Sequence, residues 1–288
     1  MSGKKQSKLF KRSFGDNLLR NVTLTVVTIF IIFPYFWMVS TSLKPSVDIS
    51  LSPPRWLPSV VEWSNYVKVW LSIPLLRYIG NSTFVAVLTT VISLLLSSMA
   101  AYSLSCLRPK ITGFAISLFM FTQLVPFTLP LIALYRMLFA ARLTNTYQGL
   151  IICYSVGAIP FCILMMRGYY SKAVPQSLVE SARIDGCSQF GTYLRIGLPL
   201  AVPGLVATSI FAFNVAWNDF VWASIILIDA KKKTASVGIY DFIDPFFSSN
   251  NVAFSMAAAV LITVPSMLLF SFLQQHLVSG LTAGAVKE

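Results

Sequence analysis

The sequence predicts an all-α, polytopic membrane protein with six transmembrane helices, and two observations carry that prediction. Of the 288 residues, 56% are hydrophobic and only 11% are charged, whereas soluble domains carry about 25% charged residues. Six long stretches contain no Asp, Glu, Lys or Arg, and each exceeds the ~20 residues that a helix needs to cross a bilayer. We therefore expect transmembrane helices over residues 22–42, 83–106, 113–134, 148–166, 203–224 and 254–273.

The residue inventory excludes several other classes of protein. Transmembrane β-strands alternate apolar and polar side chains, but residues 91–96 do not. The net charge of +12 would suit a nucleic-acid-binding protein, but we predict no nucleic-acid partner because the basic residues flank the expected spans. No G-x-x-x-x-G-K-[ST] motif occurs, so the chain cannot hold ATP phosphates in the P-loop manner. The single histidine, His276, and the absence of a Cys or His cluster leave no metal site and no catalytic constellation.

The distribution of basic residues predicts the orientation of the chain. The tail at 1–20 contains six Lys and Arg against one acid, Asp16, and the segment at 167–199 contains four basic residues. Cytoplasmic loops carry an excess of Lys and Arg, and four expected spans separate these two segments. We therefore expect a basic cytoplasmic tail at 1–20, one transmembrane domain over 21–288 and cytoplasmic N- and C-termini. This orientation places three basic residues, Lys231, Lys232 and Lys233, on the outer side, which reduces the excess of Lys and Arg on the cytoplasmic side.

Prolines mark irregularities in the expected spans. Pro126 and Pro130 fall in the third span and Pro203 in the fifth, where each removes a helix hydrogen bond and favours a kink. In the outer segment 43–80, apolar residues recur every three to four positions beyond a group of prolines. This spacing predicts a short helix in the membrane interface, which acts either as a membrane anchor or as a docking surface for an external partner. Its apolar residues are Val60, Trp63, Val67, Trp70 and Leu71.

The cytoplasmic segment 167–199 predicts a helix-turn-helix. Pro175 suits the first position of a helix, Gly186 suits the left-handed residue that ends one, and Ser188 can cap the next. Leu178 and Ala182 are expected to share the apolar face of the first helix. The second helix is expected to have one apolar face made of Phe190, Tyr193, Leu194 and Gly197. Two short amphipathic helices in the cytoplasm should dock on a partner.

Polar residues within the spans are candidates for a solute path. Asn214, Trp217 and Asn218 are spaced i, i+3, i+4 and should share one face, where the amides would bond hydroxyl groups and the indole would cover an apolar surface. Gln123 in the third span is a further candidate. The alternative is that these side chains hold helices together. Asp219 is expected near the outer end of its span, where it is either structural or the one candidate for ion coupling.

The 167–199 segment resembles the E-A-A…D-G…I-x-L-P loop of permease subunits from bacterial ATP-binding-cassette importers. Ser181 stands where the family has its first alanine, and the remaining positions match: Glu180, Ala182, Asp185, Gly186, Ile196, Leu198 and Pro199. The resemblance extends to Asn81-Ser82, Ala101-Tyr102 and Trp217-Asn218-Asp219. The tail at 280–287 is similar to the carbohydrate-uptake branch, and specifically to the maltose-type second permease.

The resemblance implies a transporter subunit of the bacterial inner membrane rather than an enzyme. It implies four partners besides membrane lipid: a homologous second permease, two ATP-binding-cassette ATPases and an extracytoplasmic solute-binding protein. No cofactor is expected on this chain, because ATP and Mg would bind the partner ATPases, and the expected solute is an oligosaccharide-type carbohydrate. The residues implied to couple this chain to the ATPases are Glu180, Ser181, Ala182, Asp185 and Gly186. The alternatives are the same machine carrying a polyol phosphate or a peptide, or an ion-coupled secondary carrier.

Overall fold

The computed structural model describes residues 14–242 and 249–282, and no β-strand occurs within these two ranges. The tail expected at 1–20 and the motif at 280–287 lie outside them, except for 14–20 and 280–282. The helices are α1 (Phe14–Ser42), α2 (Ser46–Ile49), α3 (Ser64–Ser72), α4 (Leu75–Tyr102), α5 (Thr112–Leu124), α6 (Leu131–Ala140), α7 (Tyr147–Ala173), α8 (Gln176–Ile184), α9 (Gln189–Thr192), α10 (Leu198–Leu200), α11 (Val202–Asn218), α12 (Val221–Ile226), α13 (Ala235–Ile239) and α14 (Ser249–Thr282). Two π-helical turns, Ser103–Leu107 and Tyr193–Gly197, extend α4 and α9.

The described residues contain four helices that are long and apolar enough to cross a membrane, and five if one bent pair counts as a span. The four helical stretches are Leu18–Ser42, Leu75–Leu107, Tyr147–Ala173 and Val252–Gln274, at the positions of the first, second, fourth and sixth expected spans. The all-α membrane class is therefore confirmed. The count of six continuous spans is not.

The third expected span, 113–134, is not one helix. It is divided into α5 and α6, and Val125 between them is extended with φ −90° and ψ 120°. Pro126 causes this break, because the ring of a proline disfavours a helical conformation at the residue before it. Pro130 then stands at the N-cap position of α6.

The fifth expected span, 203–224, begins after a bend and is interrupted near its end. A bend of 79° separates Gln189–Leu200 from α11, and Pro203 lies in the first turn of α11. At its other end α11 stops at Asn218, because Asp219 is extended with ψ 133°. The chain then resumes helix as the six residues of α12.

Helices α4 and α7 pack side by side and run in the same direction. Near their starts, the Tyr147 hydroxyl donates to Asn81 Oδ1 over 2.9 Å. Near their ends, the hydroxyls of Ser98 and Tyr170 are 2.7 Å apart. The intervening chain, with α5 and α6, must therefore return from the Tyr170 end of the pair to the Tyr147 end.

Helix α11 packs against the same pair in the opposite direction. Gly204 in its first turn faces Tyr169, and a Cβ atom at Gly204 would lie 2.5 Å from that side chain. At its other end Asp219 accepts a hydrogen bond from Tyr154, over 2.8 Å. Consequently α8 and α9, which precede α11, lie at the Tyr170 end, and residues 229–239, which follow it, lie at the Tyr147 end.

Contacts divide the chain into two compact units, Met1–Val69 with Ile243–Val260 and Trp70–Phe242 with Leu261–Glu288. The helices α4, α7 and α11 belong to the second unit. In the first unit, a hydrogen-bonded loop follows α1. Its centre is the buried carboxylate of Asp48, which accepts from the Ser59 backbone N–H over 2.7 Å, from the Ser59 hydroxyl over 2.6 Å and from Arg55 over 3.1 Å.

The expected interfacial helix is present as α3, although Val60 and Trp63 precede it. The five apolar residues whose spacing predicted this helix are all exposed, and Leu71 reaches 81%. The buried residues of α3 are Asn65 and Val69. This arrangement leaves an apolar surface for either of the two expected uses, lipid or an external partner.

Candidate functional site

The predicted helix-turn-helix is present, and its turn has the expected chemistry. Helix α8 ends at Ile184, and Gly186 has φ +80°, which glycine adopts readily because it has no Cβ atom. Ser188 caps α9, since its hydroxyl accepts the Gly191 N–H over 3.0 Å. Pro175 differs from expectation by one position: it is the N-cap residue, and the helix begins at Gln176.

The buried residues of α8 are not the pair that was expected to share its apolar face. Val179 and Ala182 are buried, with 1% and 6% exposure, whereas Leu178 is 45% exposed. Val179 packs into an apolar cluster at the Tyr170 end of α4 and α7. Leu178, expected to share the apolar face of Ala182, therefore lies on the exposed side of α8.

The apolar face predicted for the second helix is buried only in part. Tyr193 and Gly197 are buried, but Phe190 and Leu194 are 56% and 45% exposed. The π-helical turn Tyr193–Gly197 is the cause, because a π turn places more residues in each turn than an α-helix does. The i, i+3, i+4, i+7 positions consequently no longer point in one direction.

Four of the five residues implied to couple the chain to an ATPase are exposed: Glu180, Ser181, Asp185 and Gly186. Ala182 is buried and fastens α8 to the chain. Exposed apolar side chains lie among the acidic residues of this segment, and Ile184 is 86% exposed. We call the exposed side chains Leu178, Glu180, Ile184, Asp185 and Phe190 the α8–α9 surface. Exposed apolar side chains with polar neighbours are typical of a surface that binds a protein.

The candidate solute-path residues are only partly brought together. Asn214 and Asn218 are exposed, and the Asn218 amide donates to Asn214 Oδ1 over 3.2 Å. Trp217, expected on the same face, is 3% exposed and stacks on Phe213 with ring centroids 5.3 Å apart. One residue of an α-helix turns it by about 100°, so Trp217 lies on the flank that faces the bundle. Gln123 is exposed in the last turn of α5, where it donates to Thr122 over 3.3 Å.

Asp219 is a structural residue in this fold. Its Oδ1 atom accepts from the Tyr154 hydroxyl over 2.8 Å and from the backbone N–H groups of Trp222 and Ala223 over 2.9 and 3.2 Å. The carboxylate therefore starts α12 and satisfies a buried tyrosine. These contacts agree with the structural alternative for Asp219.

Sequence reasoning missed the function of Asn81 and Ser82, which it quoted only as a motif. The Asn81 amide donates to the carbonyls of Lys231 and Lys233 over 3.1 and 2.9 Å, and the Ser82 hydroxyl accepts from Ala235 N–H over 2.8 Å. Asn81 and Ser82 therefore hold the loop at 231–235 at the Tyr147 end of the bundle, opposite the α8–α9 surface. The sequence did contain a sign of this role. Asn81 and Ser82 are two adjacent polar residues near the start of an apolar helix, and such residues indicate specific hydrogen-bond partners.

Charge in the loop after α1 is neutralised within that loop. The Ser59 hydroxyl, the Ser59 N–H and then Arg55 hold the pKa of Asp48 below its ordinary value. Lys44 is 2% exposed, and burial lowers the pKa of its ammonium group. That ammonium donates to the Arg55 carbonyl over 2.7 Å and lies 4.1 Å from the centre of the Trp37 ring.

In the part of the chain that the structure describes, no three His, Cys, Asp or Glu residues are placed to hold a metal ion.

Comparison with known proteins places this geometry in a family. The family described as "Binding-protein-dependent transport system inner membrane component" matches residues 9–283. The chain is 35% identical over 278 residues to the diacetylchitobiose uptake system permease protein DasC of Streptomyces coelicolor, covering 96% of this chain and 99% of that protein. It is 33% identical over 285 residues to the trehalose/maltose transport system permease protein MalG of Thermococcus litoralis, covering 94% and 99%.

A solved structure shares the fold. A chain in the crystal structure of a bacterial ABC transporter involved in the import of the acidic polysaccharide alginate superposes with a TM-score of 0.77 at 21% identity, covering 92% of this chain and 98% of that one. The relatives named above are permease subunits rather than enzymes. The family resemblance carried by the 167–199 motif is thereby confirmed. The chain belongs to the family of binding-protein-dependent transport system inner membrane components, the permeases of ABC importers.

Proposed function

We propose that the chain is the transmembrane subunit of an ATP-driven importer that carries an oligosaccharide-type carbohydrate across the cytoplasmic membrane. The observation that carries the proposal is the α8–α9 surface, a helix-turn-helix with a left-handed Gly186 on which apolar and acidic side chains are exposed together. The names of the relatives support the carbohydrate, since those proteins serve diacetylchitobiose, trehalose and maltose.

The proposal assigns a role to each residue of the coupling motif. Glu180, Ser181 and Asp185 are exposed and contact an ATPase, with Glu180 pairing with a basic residue in its cleft. Ala182 holds α8 against the chain, and Gly186 sets the angle between α8 and α9. Two ATPases bind ATP and Mg, a homologous permease completes the pathway, and an extracytoplasmic protein delivers the solute.

In the same proposal, the solute passes the amides of Asn214 and Asn218 on α11 and of Gln123 on α5. An exposed amide can donate and accept hydrogen bonds, which suits the hydroxyl groups of a sugar. Trp217 is outside this path, because it packs on Phe213. Its contribution is to fix the orientation of α11.

Coupling is tested by co-purifying the ATPase with tagged permease variants. Removing a charge that is desolvated in an interface costs about 2–5 kcal/mol, so Glu180→Ala should release most of the ATPase. Ile184→Asp should do the same by placing a charge in an apolar contact. Lys231→Ala, an exposed charge at the opposite end of the bundle, is the matched control. Full ATPase recovery in both test variants would contradict the coupling role.

Orientation is tested by introducing one cysteine at a time into a Cys187→Ser background, in which the three remaining native cysteines are buried. The proposal places the α8–α9 surface and both termini in the cytoplasm, with the domain at 21–288 following the basic tail at 1–20. An impermeant thiol reagent added to intact cells should label Lys231→Cys and spare Ile184→Cys. The reverse pattern would overturn the orientation.

The solute is tested by uptake in proteoliposomes that contain the complete complex. Diacetylchitobiose, trehalose, maltose and an arabino-oligosaccharide form the carbohydrate panel, and a polyol phosphate and a peptide represent the alternative solutes. We expect ATP-dependent uptake of one of the carbohydrates. If only the polyol phosphate or the peptide were taken up, the chain would still be an importer subunit, but the proposed carbohydrate solute would be wrong.

A further inference from the structure

Three buried hydroxyl groups meet where the helix-turn-helix joins the bundle. Ser98 of α4 lies 2.7 Å from the Tyr170 hydroxyl of α7 and accepts a hydrogen bond from the Tyr193 hydroxyl over 3.2 Å. Tyr193 belongs to the π-helical turn that follows α9. The exposed fractions of the three residues are 1%, 0% and 5%. One serine therefore links two parallel spans to the segment that carries the α8–α9 surface, and we call these residues the hydroxyl triad.

The triad lies in a closely packed aromatic cluster. Tyr102, one turn beyond Ser98, contacts Tyr170 and Tyr193 with ring centroids 5.6 and 5.4 Å apart. A Cβ atom at Gly197 would lie 2.7 Å from the Tyr102 ring, so the π-helical turn approaches α4 more closely than any other residue would allow. Val179 of α8 belongs to the same cluster. Both helices of the helix-turn-helix are consequently held at this one point.

Hydroxyl groups do more here than fill space. Phenylalanine and alanine would fill the same volume, and a buried hydroxyl is unfavourable unless it is hydrogen-bonded. A hydrogen bond is lost when its donor and acceptor move apart by a small fraction of the rise of one helix turn. Contacts between apolar side chains have no such directional requirement and allow the helices to slide past one another. The triad therefore permits one relative position of α4, α7 and the π-helical turn.

We propose that Ser98, Tyr170 and Tyr193 are positioning residues that make the α8–α9 surface move as one body with α4 and α7. A displacement that an ATPase imposes on the surface then reaches the two spans directly and is not absorbed by slippage at the cluster. The inference rests on the proposed function, because it concerns how coupling is transmitted once the ATPase is bound.

The experiment compares Tyr193→Phe, Tyr170→Phe and Ser98→Ala in the reconstituted complex. The probe is radiolabelled diacetylchitobiose, or the sugar of the panel above that the wild type carries fastest. The readout is solute imported per ATP hydrolysed. Loss of one ordinary hydrogen bond shifts an equilibrium roughly two- to tenfold, and we expect the ratio to fall by that factor while ATPase recovery stays at the wild-type level.

Two matched variants separate positioning from packing. Tyr169→Phe removes the neighbouring hydroxyl on α7, which lies outside the triad, and should leave the ratio unchanged. Ser98→Thr keeps a hydroxyl and should restore the ratio that Ser98→Ala loses. Equal ratios in Tyr193→Phe, Tyr169→Phe and the wild type would overturn the proposal, as would equal ratios in the two Ser98 variants.

Deuterium exchange of the purified permease provides a measurement that requires neither ATPase nor solute. Backbone amides of 189–197 should exchange roughly two- to tenfold faster in Tyr193→Phe than in Tyr169→Phe, and equal exchange would contradict the triad. The outcomes distinguish the two proposals. If Glu180→Ala and Ile184→Asp retain the ATPase, the proposed function fails, whereas a normal transport ratio in the triad variants makes only the positioning role fail.

Discussion

Gly186 allows the cost of a substitution to be worked out from backbone conformation alone. Its φ is +80°, and no atom lies within 4 Å of the position that a Cβ atom would occupy. A substitution therefore meets no clash, and its cost is the strain of an L residue in the left-handed region, about 1–2 kcal/mol. Asparagine tolerates this region better than alanine, and β-branched valine tolerates it least.

The expected result is a graded series at one position. A cost of about 1–2 kcal/mol changes the ratio of native to alternative turn conformations about 5- to 30-fold. We expect ATPase recovery to fall in the order wild type, Gly186→Asn, Gly186→Ala, Gly186→Val. Deuterium exchange over 176–192 should rise in the same order, while the inserted spans remain protected.

The series also shows what would refute the reasoning. If Gly186→Val recovered as much ATPase as the wild type, the angle between α8 and α9 would be irrelevant to coupling. If Gly186→Asn were as impaired as Gly186→Val, a side chain in the interface, and not backbone strain, would be the cause. Gly168→Ala on α7, where a Cβ atom also meets no neighbour, is the matched control.

Three further predictions concern other parts of the chain. Because the pKa of Asp48 is lowered in the folded loop, its stabilisation is present above the ordinary aspartate pKa and is lost as pH falls through the folded value. Protection of the amides over 43–63, taken as the exchange rate relative to the intrinsic rate at each pH, should therefore fall on acidification, and at a higher pH in Ser59→Ala; protection insensitive to acid would contradict this. Asp219→Ala should lower the free energy of unfolding by about 2–4 kcal/mol, from a lost cap and an unsatisfied buried Tyr154 hydroxyl. Asp219→Asn retains an acceptor and should be milder in thermal unfolding, and equal losses would show that the charge itself matters. Asn218→Ala should weaken apparent sugar affinity in uptake assays with assembly intact; normal uptake kinetics with poor assembly would indicate helix association instead.

Local chemistry in the sequence was sufficient for the turn of the helix-turn-helix. Gly186 and Ser188 act through their own backbone and the next three residues, so their left-handed and capping conformations follow from residue type. The positions of the long apolar helices follow equally from the absence of charge. The break at Val125 could also have been derived, because the effect of Pro126 on the preceding residue is local.

The direction in which each side chain points was decided only by tertiary structure. Membrane helices are apolar on all sides, so periodicity does not identify the face that packs against a neighbour. The spacing therefore groups Trp217 with the amides of α11, although Trp217 stacks on Phe213. On the short helix α8 the spacing groups Leu178 with Ala182, although Val179 is the more buried residue. The hydroxyl triad joins residues 72 and 95 positions apart in the chain. No local rule connects such positions, because their proximity depends on the parallel packing of α4 and α7 and on the π-helical turn.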